Sequence, residues 1–267
     1  MTDQALAQFG ADYARHRAAE GRGYTGEDLF SLPYLRHGPL AAQWAVRARS
    51  FHAFLRQVVR PLAEARARPL DILDLGAGNG WLSHRMTLEG HRAIALDIRE
   101  DLVDGLGAAE PLVRQAGDRM ECLAASFETL PLRPASMDIA VFNAALHYTV
   151  NLPQALGEAA RVVRSGGVLA IVDTPFYRRD AHGRAMVAEK KAQAAERFGA
   201  QADSLLALPF LEYLTRESLA AASAPLGLRW RRHRVLYPIA YELRPLRAAL
   251  RGDRPPSRFD LWTAVRP

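Results

Sequence analysis

Apolar residues recur at three- and four-residue steps through Trp44, Phe51, Leu55, Val58 and Leu62. That spacing is one face of a helix and predicts that the first 70 residues or so are mainly helical. A turn-rich stretch, Gly21-Arg-Gly-Tyr-Thr-Gly26, separates this helix from an earlier one. The pattern then changes to short, nearly continuous apolar runs: Asp71–Leu75, Arg92–Leu96, Met120–Ala124, Met137–Phe142 and Val168–Asp173. Runs of this length predict buried strands. Helical spacing fills the gaps, at Trp81–Glu89 and Leu152–Arg164. Strands alternating with helices predict a parallel sheet covered on both faces. Beyond Pro175 the pattern predicts a long helical insertion to about Gly199 and a helix over Arg216–Ala224. Two last strands follow, near Leu228–Leu236 and Phe259–Val265.

Composition narrows this picture only slightly. The chain has 267 residues, 49% apolar and 24% charged, the mix of an ordinary globular protein. A division into a helical cap over residues 1–69 and a main domain over 70–267, with a helical insertion at about 175–214, fits this length. The single cysteine, Cys122, excludes a disulfide framework and a thiolate-rich zinc site. Cys122 is expected to be a small buried side chain on the third strand. Neither a signal sequence nor an apolar run of about 18 residues is present, so the expectation is a cytoplasmic protein without a membrane span. The net charge is +6, and Lys190 and Lys191 are the only lysines among 35 basic residues. The arginines are spread along the chain rather than clustered, so nucleic acid is the minor reading of the partner. The run Arg229-Trp-Arg-Arg-His-Arg234 is expected to be an edge strand protected by its charge.

The chemistry centres on Asp74-Leu-Gly76-Ala-Gly78-Asn-Gly80, between a predicted strand and a predicted helix. Glycines there let the backbone turn sharply and come close to a ligand, and the helix start beyond them is expected to offer unpaired amides. A dinucleotide fingerprint places a third glycine where Trp81 stands, and a phosphate-binding loop needs a lysine that is missing. A dehydrogenase reading is therefore disfavoured. The Asp-x-Gly-x-Gly-x-Gly pattern resembles instead the first motif of class I S-adenosylmethionine-dependent methyltransferases. Three further segments agree in order: Ala93-Ile-Ala-Leu-Asp97, Ala125-Ser-Phe-Glu-Thr-Leu-Pro131, and the strand from Met137 into Asn143-Ala-Ala-Leu-His147. Glu158-Ala-Ala-Arg-Val-Val-Arg-Ser-Gly-Gly-Val168 is similar to the helix and turn before the family's fifth strand.

The resemblance implies a Rossmann-like α/β fold: a seven-stranded, mostly parallel sheet, helices on both faces and an antiparallel last strand. It implies S-adenosyl-L-methionine as cofactor. Asp74 and the loop of Gly76, Ala77, Gly78 and Gly80 would hold the methionine part, with Asn143 beside it; separately, Arg47, on the edge of the Trp44–Phe51 apolar stripe, either reaches the cofactor's carboxylate or snorkels to water. Asp97 would hold the ribose, Ile98 would pack on the adenine, and Ser126 and Phe127 would meet its edge and face. The family usually has Asp where Ser126 stands, so the adenine contact here is made by a neutral, weaker partner.

His147 and Tyr148 follow the fourth strand, at the carboxyl edge where open α/β sheets bind ligands. They are the catalytic candidates, His147 as general base or as a group orienting the nucleophile. Tyr24, Tyr34, Asp173 and Tyr177 are the acceptor-site candidates. No metal is expected, because Asp173-Thr174 offers a single acid near the fifth strand. The expected function is in-line methyl transfer to a small-molecule acceptor, with RNA methylation or a non-catalytic cofactor-binding sensor as alternatives. Alignment of the reacting groups, at roughly 7–11 kcal/mol, outweighs a general base at roughly 3–5 kcal/mol.

Overall fold

The computed structural model describes residues 15, 21–198 and 209–267. The earlier of the two predicted N-terminal helices and part of the insertion lie outside the described residues. Seven strands form one sheet: β1 (Asp71–Leu75), β2 (Arg92–Asp97), β3 (Met120–Ala124), β4 (Met137–Asn143), β5 (Val163–Val172), β6 (Arg231–His233) and β7 (Leu261–Val265). Their order is β3-β2-β1-β4-β5-β7-β6. β1 to β5 run parallel, and β7 runs antiparallel to β5. The helices are α1 (Gly26–Ser31), α2 (Ala41–Phe54), α3 (Arg60–Arg66), α4 (Trp81–Leu88), α5 (Glu110–Ala116), α6 (Leu152–Val162), α7 (Asp180–Phe198), α8 (Arg216–Ser223), α9 (Ile239–Glu242) and α10 (Arg244–Arg251). A π-helical turn at Leu55–Val59 joins α2 to α3.

Alternate residues of each central strand feed opposite cores, as the two-residue strand period requires. Ile72, Ala95, Ile139, Val141 and Ala170 face one cluster, where Phe54, Val59, Trp81 and Met86 cover them. Leu73, Leu75, Ala140, Phe142 and Ile171 face the other, covered by Leu156, Ala159, Leu219 and Trp262. Trp44 and Leu29 of the N-terminal segment belong to the first cluster, so that segment packs into the core shared with the sheet.

Several boundaries move for identifiable reasons. β5 begins five residues earlier than the apolar run suggests, at Val163 rather than Val168. A Cβ on Gly167 would lie 2.6 Å from the Asp138 carbonyl, so glycine lets this polar stretch lie against β4. β6 shrinks to three residues because β7 alone pairs with it. It is the charged edge strand anticipated for the Arg229–Arg234 run: Arg232 pairs with Asp260, and His233 bonds to Thr263. Cys122 is exposed rather than buried, because β3 is the opposite edge of the sheet. α9 and α10 were not anticipated, since most of their apolar residues, Tyr241 apart, face solvent instead of the core.

Candidate functional site

The carboxyl ends of β1, β2 and β4 open onto a cleft, the place where open α/β sheets take their ligands. The glycine loop forms its floor. Gly76, Gly78 and Gly80 all have positive φ. A Cβ on Gly76 would lie 2.4 Å from that of Ala145, so the loop after β1 and the loop after β4 touch only because position 76 has no side chain. Gly80 faces inward instead, against Met120 and Ala109, and does not line the cleft.

Most amides of this loop are engaged within the protein, which narrows the expectation of unpaired amides at the helix start. Gly76 and Ala77 both donate to the Leu96 carbonyl, at 2.8 and 2.9 Å, Gly80 donates to Ala77, and Trp81 donates to Asn79 Oδ1. Gly78 donates to Asp97 Oδ2 at 2.8 Å, while Arg99 N donates to Asp97 Oδ1 at 2.9 Å. The loop is therefore tied to β2 and offers close approach more than donors. Asp97 is buried at the cleft wall, and burial raises its pKa although the Arg99 guanidinium opposes this.

Ile98, Ser126, Phe127, Asn143, Arg47 and Tyr148 also line the cleft. Phe127 stands edge-on to Phe142, and Ser126 Oγ accepts from Glu128 N. Asn143 is buried at the end of β4, and its Oδ1 has no hydrogen-bond partner within the protein. Such an atom calls for a donor from a ligand or water. Tyr148 lies against the His147 ring, centroids 4.2 Å apart, and meets Phe210 edge-on. His147 is half-buried behind Tyr148 and is not part of the cleft lining.

Five more of the singled-out residues lie away from the lining. Asp74 is buried beneath the loop: Oδ2 accepts from Ser83, Oδ1 has no partner, and burial pushes its pKa up to about 7. Asp173 is buried just past β5, where it accepts from Ser50 Oγ at 2.5 Å, and burial holds its pKa at about 6 against the pull of Arg47. Tyr24 is used structurally, its hydroxyl accepting from Trp44 Nε1 at 2.6 Å. Tyr34 packs edge-on to Phe51 beneath the Arg85 guanidinium, and the Tyr177 hydroxyl accepts from Arg254.

The cleft also holds residues the sequence reading passed over: Arg22, Trp44, Trp81, Arg99, Glu128 and Phe210. Trp44 was legible, standing one turn before Arg47 on α2. Trp81 had served only to exclude a dinucleotide site. Glu128 joins two loops, its Oε1 accepting from Thr149 Oγ1, Val150 N and Asn151 N. Nothing in the sequence marked Phe210. Its neighbours Leu211 and Glu212 dock by backbone bonds to Thr149 and His147.

Comparison with known proteins agrees with this architecture. A family described as "Methyltransferase domain" matches residues 73–171, the stretch from β1 through β5 that builds the cleft floor. The chain carries a class I S-adenosylmethionine-dependent methyltransferase domain. Malonyl-[acyl-carrier protein] O-methyltransferase of Erwinia pyrifoliae is 37% identical to this chain over 133 residues, 48% of this chain and 48% of its own length. The chain thus spans about half the length of the curated relatives it matches. Among solved structures, 1,6-didemethyltoxoflavin-N1-methyltransferase of Burkholderia thailandensis, with bound S-adenosylhomocysteine, aligns over 98% of this chain and 89% of its own. The TM-score is 0.56 at 19% identity. The [4+2]-cyclase SpnF aligns over 84% and 82%, with a TM-score of 0.57 at 17% identity. At such identities the likeness is one of fold, and a cyclase among the neighbours shows that this fold also serves other chemistry. Among the described residues, no helix is long and apolar enough to cross a membrane.

Proposed function

We propose that the chain is an S-adenosylmethionine-dependent methyltransferase acting on a small anionic acceptor. One observation carries this reading: the cleft joins a cofactor wall to an aromatic, arginine-bearing wall. Asp97, Ser126 and Phe127 form the first, while Arg22, Trp44, Arg47, Tyr148 and Phe210 form the second. The site suits the cofactor chemically. Asp97 has acceptor capacity beyond its two amide bonds for ribose hydroxyls, Asn143 Oδ1 awaits a donor, and position 76 leaves room for close approach. When bound, S-adenosylmethionine supplies an electrophilic methyl group on a sulfonium centre.

The protein's part is mainly alignment. Ile98 and Phe127 sandwich a flat base, and Asp97 fixes the sugar. Arg22 and Arg47 hold carboxylates by charge-assisted hydrogen bonds, and the rings of Trp44, Tyr148 and Phe210 exclude water from the acceptor. Carboxylates and carboxylate-like oxygens need no deprotonation at neutral pH, so an acceptor of this class makes little demand on a general base. His147, behind Tyr148, then serves to orient that ring. The name of the Erwinia pyrifoliae relative, a malonyl-[acyl-carrier protein] O-methyltransferase, supports a carboxylate acceptor.

The test uses methyl-labelled S-adenosylmethionine and a cleared extract, later separated into small-molecule, RNA and protein pools. Label is expected in methyl esters of small carboxylic acids or in base-labile methyl esters carried on protein, and should fall with Arg47→Ala. Label in RNA would overturn the proposed acceptor. Cofactor binding without any methyl transfer would favour the sensor reading.

A further inference from the structure

Outside the cleft, one surface carries an ordered row of exposed apolar side chains. α9 and α10 are separated by Leu243 alone, and bonds from Leu243 N to Ile239 O and from Arg247 N to Leu243 O keep the helical course across the junction. Ile239, Leu243, Leu246 and Leu250 are spaced by four, three and four residues. On a helix of 3.6 residues per turn they fall within an arc of about 60°. Their exposures are 78%, 39%, 57% and 80%, and Leu236 just before them is 70% exposed. Single exposed leucines are ordinary, whereas a contiguous row marks an interaction surface. The row faces outward because the other side of the segment is anchored. Tyr241 is buried against Tyr237, and the Arg244 guanidinium lies 3.9 Å over the Tyr241 ring.

Charge decides what the row fits. Between Arg229 and Arg251 the sequence has seven arginines and one acid, Glu242. Arg258 binds that acid, and Arg234 of the segment leading from β6 reaches it at 3.8 Å, which brings the basic edge of the sheet beside α9. Arg247 and Arg251 are exposed along one flank of the row. A membrane-lying helix presents an apolar face of about 100° or more, wider than this seam. A second copy paired antiparallel about a two-fold axis would set the arginine flank against itself. A partner helix with an apolar ridge and carboxylates beside it meets both features.

We infer that the α9–α10 row docks an amphipathic helix of an acidic partner protein, its apolar ridge along Ile239, Leu243, Leu246 and Leu250 and its carboxylates against Arg247 and Arg251. The inference is independent of the methyltransferase reading. Behind the row, Tyr237 meets Ser50 at 2.9 Å, so the surface backs onto α2, the helix that brings Trp44 and Arg47 to the cleft.

The probe is a fluorescein-labelled synthetic helix with leucines at four- and three-residue steps and glutamates on the adjoining flank. Anisotropy of the probe is followed as the full chain is added. Binding is expected to weaken with salt and to fall at least about tenfold in Leu246→Glu/Leu250→Glu, the loss expected when a leucine is no longer buried. Arg247→Glu/Arg251→Glu should behave likewise, and a lysine version of the probe should not bind. All four altered side chains are exposed, so folding is retained. Circular dichroism and unchanged S-adenosylhomocysteine affinity check this separately from the docking result. Absent binding, or equal binding by the variants, overturns the inference. So does leucine-dependent binding to phosphatidylglycerol vesicles in place of the probe, or a dimer that Leu250→Glu converts to monomer.

Discussion

Asp173 shows how much one carboxyl can depend on a single proton. Tyr237 donates to the Phe259 carbonyl, while the Ser50 hydroxyl donates to Asp173 Oδ1 and lies 2.9 Å from the Tyr237 oxygen. Burial, with its second oxygen left without a partner, lifts the pKa of Asp173 to about 6. Asp74, at about 7, is raised by the same burial. Both folded values lie above the ordinary 3.8, so their stabilisation is full below about pH 4 and is lost as pH rises through 6 and 7. Asp173→Asn should therefore unfold at higher urea than the parent at pH 8, by up to about 3 kcal/mol, with the difference vanishing near pH 4. A constant difference across that range would show that Asp173 is not protonated in the fold. At Asp97 the expectation is opposite in kind. Asp97→Ala removes the acceptor for both Gly78 N and Arg99 N, and S-adenosylhomocysteine affinity in calorimetry should fall about ten- to a hundredfold. His147→Ala should leave that affinity within about twofold, because its ring lies behind Tyr148.

At the level of elements, the glycine loop and Glu128 divide the work of shaping the cleft. Gly76→Ala puts a methyl group where Ala145 already is, which should separate the loops after β1 and β4 and weaken cofactor binding more than it lowers the melting temperature. Glu128→Ala frees Thr149, Val150 and Asn151 together. Faster amide exchange over those residues, with the sheet unchanged, is the expected signature. The central strands were legible because each is a short apolar run with turn chemistry at both ends, and β1 and β3 fall where those runs do. The floor of the cleft was legible too, since glycines and Asp97 carry their geometry in their own backbone and charge. The far wall was not. Arg22 and Phe210 reach the cleft from segments without periodicity, placed by contacts distant in sequence. The start of β5 was missed because Ser165-Gly-Gly looks like a turn until the backbone of Asp138 is beside it.

Across the whole molecule, the two ends of the sheet treat acids differently. At the amino ends of the strands, the fully buried Asp138 accepts from both Arg68 nitrogens and from Asp71 N, with Arg164 at 3.1 Å, and these partners pull its pKa down against its burial. At the carboxyl ends, Asp74 and Asp173 each keep one buried oxygen without a partner. The paired end holds the fold together, and the unpaired end is left with unspent binding capacity. Asp138→Ala leaves Arg68 and Arg164 with Asp71 as their remaining carboxylate and should cost about 1–3 kcal/mol in urea unfolding at pH 7. That stabilisation should shrink as pH falls through the lowered pKa of Asp138, opposite in sign to the Asp173 effect. The placement of the indoles has a practical consequence. Trp44 and Trp81 stand edge-to-face, 5.6 Å apart in the cleft wall, while Trp230 and Trp262 pack in the cluster on the other face of the sheet. The protein thus contains its own optical reporter and its own reference. Emission from the first pair is expected to respond to whatever enters the cleft and emission from the second is not, and Trp44→Phe/Trp81→Phe leaves the reference pair alone, separating the two signals without any attached dye.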